Sequence, residues 1–220
     1  MYFAESPLLQ AARLRDRAAR KLIEVSDDRI ERQQAYLLLL RARKLELGQS
    51  FSLPPSASLE LNAWCSALVN AAGAVCPLPP ASLRFYPGAE PLPVTGRPSV
   101  LTAALLQLIK NSLQYAGPRP VLELRLQTVG DCVYLLYRDS GPGLLATARS
   151  GFGFAAVSTL ARQAGGTFAV RVGGPGFLCG ISLPLCSHLS PVCAPLENEL
   201  IEDRFSPLYL HLCPCCILPE

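Results

Sequence analysis

Two side-chain amides, Gln107 and Asn111, stand four residues apart in the run 105–117, LLQLIKNSLQYAG. That is about one helical turn, so both amides leave one face while Leu105, Leu106, Ile109 and Leu113 can face a core. The stretch Asp139-Ser140-Gly141-Pro142-Gly143 begins 28 residues after Asn111, and Gly151-Phe152-Gly153 begins 12 residues after Asp139. Asp-Ser-Gly-Pro-Gly is turn chemistry in any context. Gly151 and Gly153 precede a run that reads as a helix from Phe154, and the free amides of a helix N-terminus suit a phosphate. Each piece alone is ordinary, and their order gives them meaning.

In order and spacing these pieces resemble the ATP-binding domain shared by sensor histidine kinases, gyrase-type ATPases, the Hsp90 chaperone and MutL. LLQLIKNSLQYA is similar to its asparagine box, DSGPGL to its adenine-binding box and GFGFAAVSTLARQAGGTFAV to its glycine box with the following helix and strand. GFLCGISLPL resembles the closing strand, so the likeness covers roughly residues 58 to 186.

The resemblance implies ATP and Mg2+ as cofactors. Asp139 would accept a hydrogen bond from the adenine amino group, and Gly141 and Gly143 would let the backbone approach base and ribose. Asn111 would ligate the magnesium ion that bridges the phosphates, a task suited to a neutral oxygen on a rigid helix. Tyr115 matches an aromatic position beside the nucleotide, and Gly151 and Gly153 match the phosphate-side glycines.

The resemblance sets Gln107 at the family's catalytic position. Hydrolytic members carry glutamate there, and an amide cannot deprotonate water, which disfavours an ATP hydrolase. Transfer to a neutral imidazole needs less help from a base, so Gln107 favours a kinase-like or a non-catalytic site. Gln114 stands where many kinases have a phosphate-steadying cation, while Lys110 leaves another face of the helix. Only seven residues, LLATARS, separate Gly143 from Gly151, a short lid that would leave phosphates wet. Arg149 within it is the lid's candidate phosphate contact.

The elements that must carry these residues read as follows. Residues 5–24 and 27–48 are two helices broken at Val25-Ser26-Asp27-Asp28, with Ser26 or Asp27 as cap, and a short connection makes them an antiparallel hairpin. Leu8, Leu9, Ala12, Ala19, Leu22 and Ile23 form the apolar stripe of the first helix. Ile30, Leu37, Leu40, Lys44 and Leu45 roughly continue it on the second. In sensor kinases such a hairpin dimerises and carries the phosphorylated histidine. Leu14-Arg15 resembles the leucine-arginine of that motif, placing Ala12 at the histidine position. The two histidines, His188 and His211, lie beyond the ATP domain, so the hairpin lacks a phosphoacceptor histidine.

Gln49 to Ser58 reads as a linker, Leu59 to Val75 as a helix, and Leu83–Tyr86 and Pro93–Val94 as strand pieces. Ser99 to Ala116 is the asparagine-box helix. Val121–Thr128 and Cys132–Arg138 form a hairpin around Val129-Gly130-Asp131, and Phe168–Val172 pairs with Leu178–Leu183. The expected fold class is α+β: a two-layer α/β sandwich preceded by a helical hairpin. The expected divisions are 1–50 (hairpin), 51–58 (linker), 59–186 (ATP domain) and 187–220, a Pro/Cys-rich tail packed loosely or not at all.

Composition sets outer bounds. Half of the 220 residues are apolar, which excludes disorder throughout, and the net charge of +3 gives little nucleic-acid signal. The start has no secretory pattern, and the nine cysteines, in odd number and without framework spacing, read as reduced thiols of a cytoplasmic protein. The uncharged run Leu61 to Leu83 is broken by polar residues and prolines, against a membrane span. HLCPCC, around His211, Cys213, Cys215 and Cys216, is too cramped for a zinc knuckle. The expectation is an ATP-binding, histidine-kinase-like homodimer acting on or through a partner signalling protein, with two alternatives. One is a nucleotide-independent scaffold of the same fold; the other resembles anti-sigma-factor serine kinases.

Overall fold

The computed structural model describes residues 6–24, 29–48, 56–79, 82–143, 152–186, 197–213 and 215–217. Helices α1 (Pro7–Glu24) and α2 (Arg29–Gly48) pack against each other. Arg15 Nη2 of α1 reaches Glu46 Oε1 of α2 at 2.9 Å, whereas Lys21 Nζ further along α1 reaches Gln34 Oε1, earlier on α2, at 2.9 Å. Partners that run in opposite directions make the pair antiparallel. Ala11 and Ala18 on α1 and Ala35 and Ala42 on α2 are buried, as is Leu40 of α2. The expected stripe of α1 is not the face that closes the hairpin: Leu8 and Leu9 are 56% and 50% exposed, and Ala12 and Ala19 are exposed too. The alanines permit close helix approach, and Leu8 and Leu9 are left outward; the side chains of Leu22 and Ile23 lie outside the described residues.

Strand β1 (Ala57–Glu60) pairs antiparallel with β3 (Pro93–Gly96), so Ala57 and Ser58 leave the expected linker and Leu59 leaves the expected helix. Helix α3 (Leu61–Val75) starts only after Glu60, whose carboxylate accepts from the amides of Asn62 and Ala63 at 3.2 and 2.7 Å. The same carboxylate accepts the Leu92 amide at 2.9 Å, binding the helix start to the approach of β3. An N-cap of this kind satisfies otherwise orphaned donors and fixes the boundary.

The main sheet has the order β2 (Leu83–Tyr86), β4 (Leu122–Val129), β5 (Cys132–Asp139), β7 (Leu178–Pro184), β6 (Thr167–Val170). Only β2 and β4 are parallel, joined by a crossover that contains α4 (Pro98–Tyr115). The hairpin signal around Gly130 becomes the β4–β5 register Leu122↔Asp139 through Val129↔Cys132. Leu122, Leu124, Leu126, Val133, Leu135, Tyr137, Ile181 and Leu183 alternate onto one buried face, with α3, α4 and α5 (Phe152–Gln163) in the same apolar core. Exposed Arg125, Tyr134 and Arg138 occupy the other face. This is the expected two-layer α/β sandwich behind a helical pair.

The tail departs from expectation. Residues 197–213 form α6 (Glu197–Glu202) and α7 (Pro207–Leu212), with Leu208, Tyr209, Leu210 and Leu212 buried. α6 packs on α3, and α7 packs on α4 and α2. It is packed rather than loose because its closely spaced apolar residues find a groove between helices that sequence periodicity cannot reveal. Among the described residues no helix is long and apolar enough to cross a membrane.

Candidate functional site

Asp139 closes β5 and is 6% exposed. A carboxylate so buried needs donors, and three converge on it. Ser112 Oγ of α4 donates to Oδ2 at 2.5 Å, while the amides of Gly141 and Phe177 donate to Oδ1 at 2.9 and 3.2 Å. Behind Ser112, Tyr137 Oη donates to Ser112 Oγ at 2.9 Å. Burial, and after it the charge of Asp139, drives the Tyr137 phenol well above its ordinary range, against the lowering effect of its bond with Ser112. Tyr137 therefore keeps its proton and points it at Ser112, whose own proton is directed to Asp139. A carboxylate offers about four lone-pair sites, so one remains for an N–H entering from outside.

That outside is a cleft of about 190 Å3 lined by Asn111, Ser112, Tyr115, Ala116, Asp139, Gly141, Pro142, Gly143 and Phe177. The volume is below the roughly 300–1,000 Å3 of drug-sized sites, room for a flat heterocycle with its substituents running outward. Gly141 is required because a Cβ there would sit 2.8 Å from Ala116 Cα. Gly143 has φ +80°, and a Cβ would lie 2.6 Å from the Gly174 carbonyl oxygen. The floor is thus an acceptor, and two glycines bring backbone to its walls.

The structure gathers Asn111, Tyr115, Asp139, Gly141 and Gly143 at this one cleft. Tyr115 stands at the rim, 74% exposed, at the last residue of α4. Gln107 joins through Asn111: its Nε2 donates to Asn111 Oδ1 at 2.9 Å. Gly153 lies within the first turn of α5, which starts at Phe152 rather than near Phe154, and Gly151 and Arg149 lie outside the described residues. Lys110 turns away, toward Lys44 of α2 and His211 of α7. Sequence reasoning missed Ser112, Tyr137, Ala116, Pro142 and Phe177. Ser112 had one legible signal, being a polar residue at helical spacing from the apolar Leu105, Leu108 and Ile109 of α4.

A magnesium ion fits here only in company. Among the described residues no group of three or more His, Cys, Asp or Glu side chains could hold a metal. Asn111 Oδ1 keeps one lone pair after accepting from Gln107. Asn111 would hold magnesium as a single ligand, and the ion, when bound, supplies neutralisation of phosphate charge.

No protein-family model and no curated protein matches the chain. Solved structures do. The Acinetobacter baumannii histidine kinase AdeS is similar over 83% of this chain and 99% of its own, at 16% identity and a TM-score of 0.53. Full-length ShkA in complex with AMPPNP is similar over 84% of this chain and 47% of its own, at 18% identity and 0.58. The chain has the fold of these histidine-kinase structures. A third histidine-kinase structure, the catalytic domain of ThkA, covers 60% of this chain and 97% of its own, at 14% identity and 0.50. In this histidine-kinase fold the cleft beneath Asp139 is built from the two motifs that resemble the asparagine and adenine boxes.

Proposed function

We propose that this chain is an ATP-binding, histidine-kinase-like signalling protein without a phosphoacceptor histidine in its hairpin, acting on or through a partner protein. The observation that carries the reading is Asp139, held by three donors at the floor of a cleft and left with one acceptor site for an amino group. Guanine would present a keto oxygen where adenine presents that amino group, and the carboxylate would repel it. Asn111 stands where phosphate-bound magnesium would lie, and Tyr115 stands at the rim. The described hairpin, residues 6–24 and 29–48, contains no histidine, so a phosphoryl group leaving ATP would need an acceptor on another protein.

The outward Leu8 and Leu9, with Ile30 at 64% exposure, support a homodimer through the hairpin. The deciding experiment is calorimetric titration with a non-hydrolysable ATP analogue, with and without magnesium, beside Asp139→Asn. Micromolar binding that weakens at least tenfold in the variant is expected. Absence of binding at millimolar analogue would overturn the reading in favour of a scaffold that keeps the fold without the ligand.

A further inference from the structure

Helix α2 shares extended contact with two elements among the described residues, its hairpin partner α1 and the C-terminal helix α7. The hairpin therefore meets the α/β domain chiefly by way of the tail. Tyr36 of α2 is the fastening. Its hydroxyl donates to the Arg204 carbonyl, and its ring meets Phe205 and Tyr209 edge-on at centroid separations of 6.0 and 6.5 Å. Leu40 of α2 is buried in the same apolar cluster as Leu208 and Leu212. On the domain side, Asn70 Nδ2 of α3 donates to Glu197 Oε2 at 3.1 Å, and the Ile217 amide donates to the Val75 carbonyl at 2.7 Å.

The seam also contains an opposing force. Burial and then the charges of Lys44 from α2 and Lys110 from α4 disfavour a proton on His211, and the two lysines also repel each other. His211 Nδ1 is buried without a hydrogen-bond partner. Apolar contact holds the seam shut while like charges press against it.

We propose that residues 197–213 and 215–217 are an intramolecular strap: α7 fixes the hairpin to the α/β domain, and its release frees the hairpin while that domain stays folded. Release changes where the hairpin can lie relative to the Asp139 cleft. The proposal is independent of whether the cleft takes ATP.

Hydrogen exchange of the full chain, read by mass spectrometry at neutral pH, tests it. Tyr36→Ala removes the α2 fastening, and Phe205→Ala, at a side chain that is 42% exposed, removes part of it with less risk to folding. In both variants the amides of α2 and α7 should exchange at least tenfold faster than in the parent, with β4 and β5 unchanged and a larger radius of gyration in X-ray scattering. Unchanged α2 exchange in both variants would overturn the strap. Equal acceleration of β4 and β5 would overturn it too, because the tail would then belong to one cooperative core.

Discussion

Ser112 Oγ lies 2.5 Å from Asp139 Oδ2 and donates its proton to it, tying the last turn of α4 to the end of β5 at the floor of the cleft. The bond takes one lone pair of Oδ2, and Oδ1 already holds two amides, so the acceptor site left for an incoming N–H is on Oδ2. Position of the acceptor is thus set by a helix residue that itself takes direction from Tyr137.

Replacing Ser112 with alanine leaves Asp139 one donor short and strips Tyr137 Oη of its nearer partner, the Leu108 carbonyl being 3.4 Å away. A loss of about 1–3 kcal/mol in unfolding free energy is expected, since a buried polar group is left unsatisfied. Urea denaturation measures it. On the nucleotide reading the same variant weakens analogue binding, and Ser112→Thr, which keeps the hydroxyl, restores part of it.

Gly143→Ala meets two obstacles at once, the left-handed backbone at φ +80° and the Gly174 carbonyl 2.6 Å from the new methyl. Backbone strain of this kind costs on the order of 1–3 kcal/mol, and the loop must shift to accommodate the methyl. A lowered thermal midpoint with loss of analogue binding is expected, whereas Gly73→Ala, inside α3 where a Cβ meets nothing within 4 Å, should raise the midpoint and leave binding unchanged.

Burial, reinforced by Lys44 and Lys110, lowers His211 to about 4 from its ordinary 6.5. The unfolded chain then binds more protons than the folded one between these values, so stability rises with pH through that window. The His211 contribution is complete above about pH 6.5 and is lost as pH falls toward 4, a change of up to about 3 kcal/mol at 1.36 kcal/mol per unit. Denaturation midpoints across pH 4 to 7 should show this slope in the parent and a shallower one in His211→Phe.

The exposed leucines of α1 predict association. Sedimentation should find the chain dimeric at micromolar concentration and Leu8→Glu/Leu9→Glu monomeric with an unchanged fold, because neither side chain is part of the buried hairpin seam. A monomeric parent would remove the hairpin-dimer reading.

Much of the site was legible because its signals are local. The 3.6-residue pattern around Asn111 gave α4, and alternation around Gly130 gave the β4–β5 pair that ends at Asp139. What escaped depends on tertiary partners. Leu59 fits a helix by type, yet pairing with Val94 draws it into β1 and Glu60 caps the helix after it. Pro207 to Leu212 is too short to show a period, and the prolines and cysteines around it are the composition of a loop. Burial of that hexamer follows from the groove that α2 and α4 leave for it. Phe177 contributes to the site chiefly a backbone amide, and a backbone donor has no side-chain signature.

The seam joins the two ends of the chain in time as well as in space. α2 is complete by residue 48, and its fastener α7 ends at residue 212. At synthesis rates of about 5–20 residues per second, roughly 8 to 33 s separate the two. During that interval a growing hairpin exposes Leu8, Leu9 and Tyr36 with no tail to cover the last of them. Chain order thus gives neighbouring nascent copies on one messenger a window in which hairpins can meet before each is bound to its own domain.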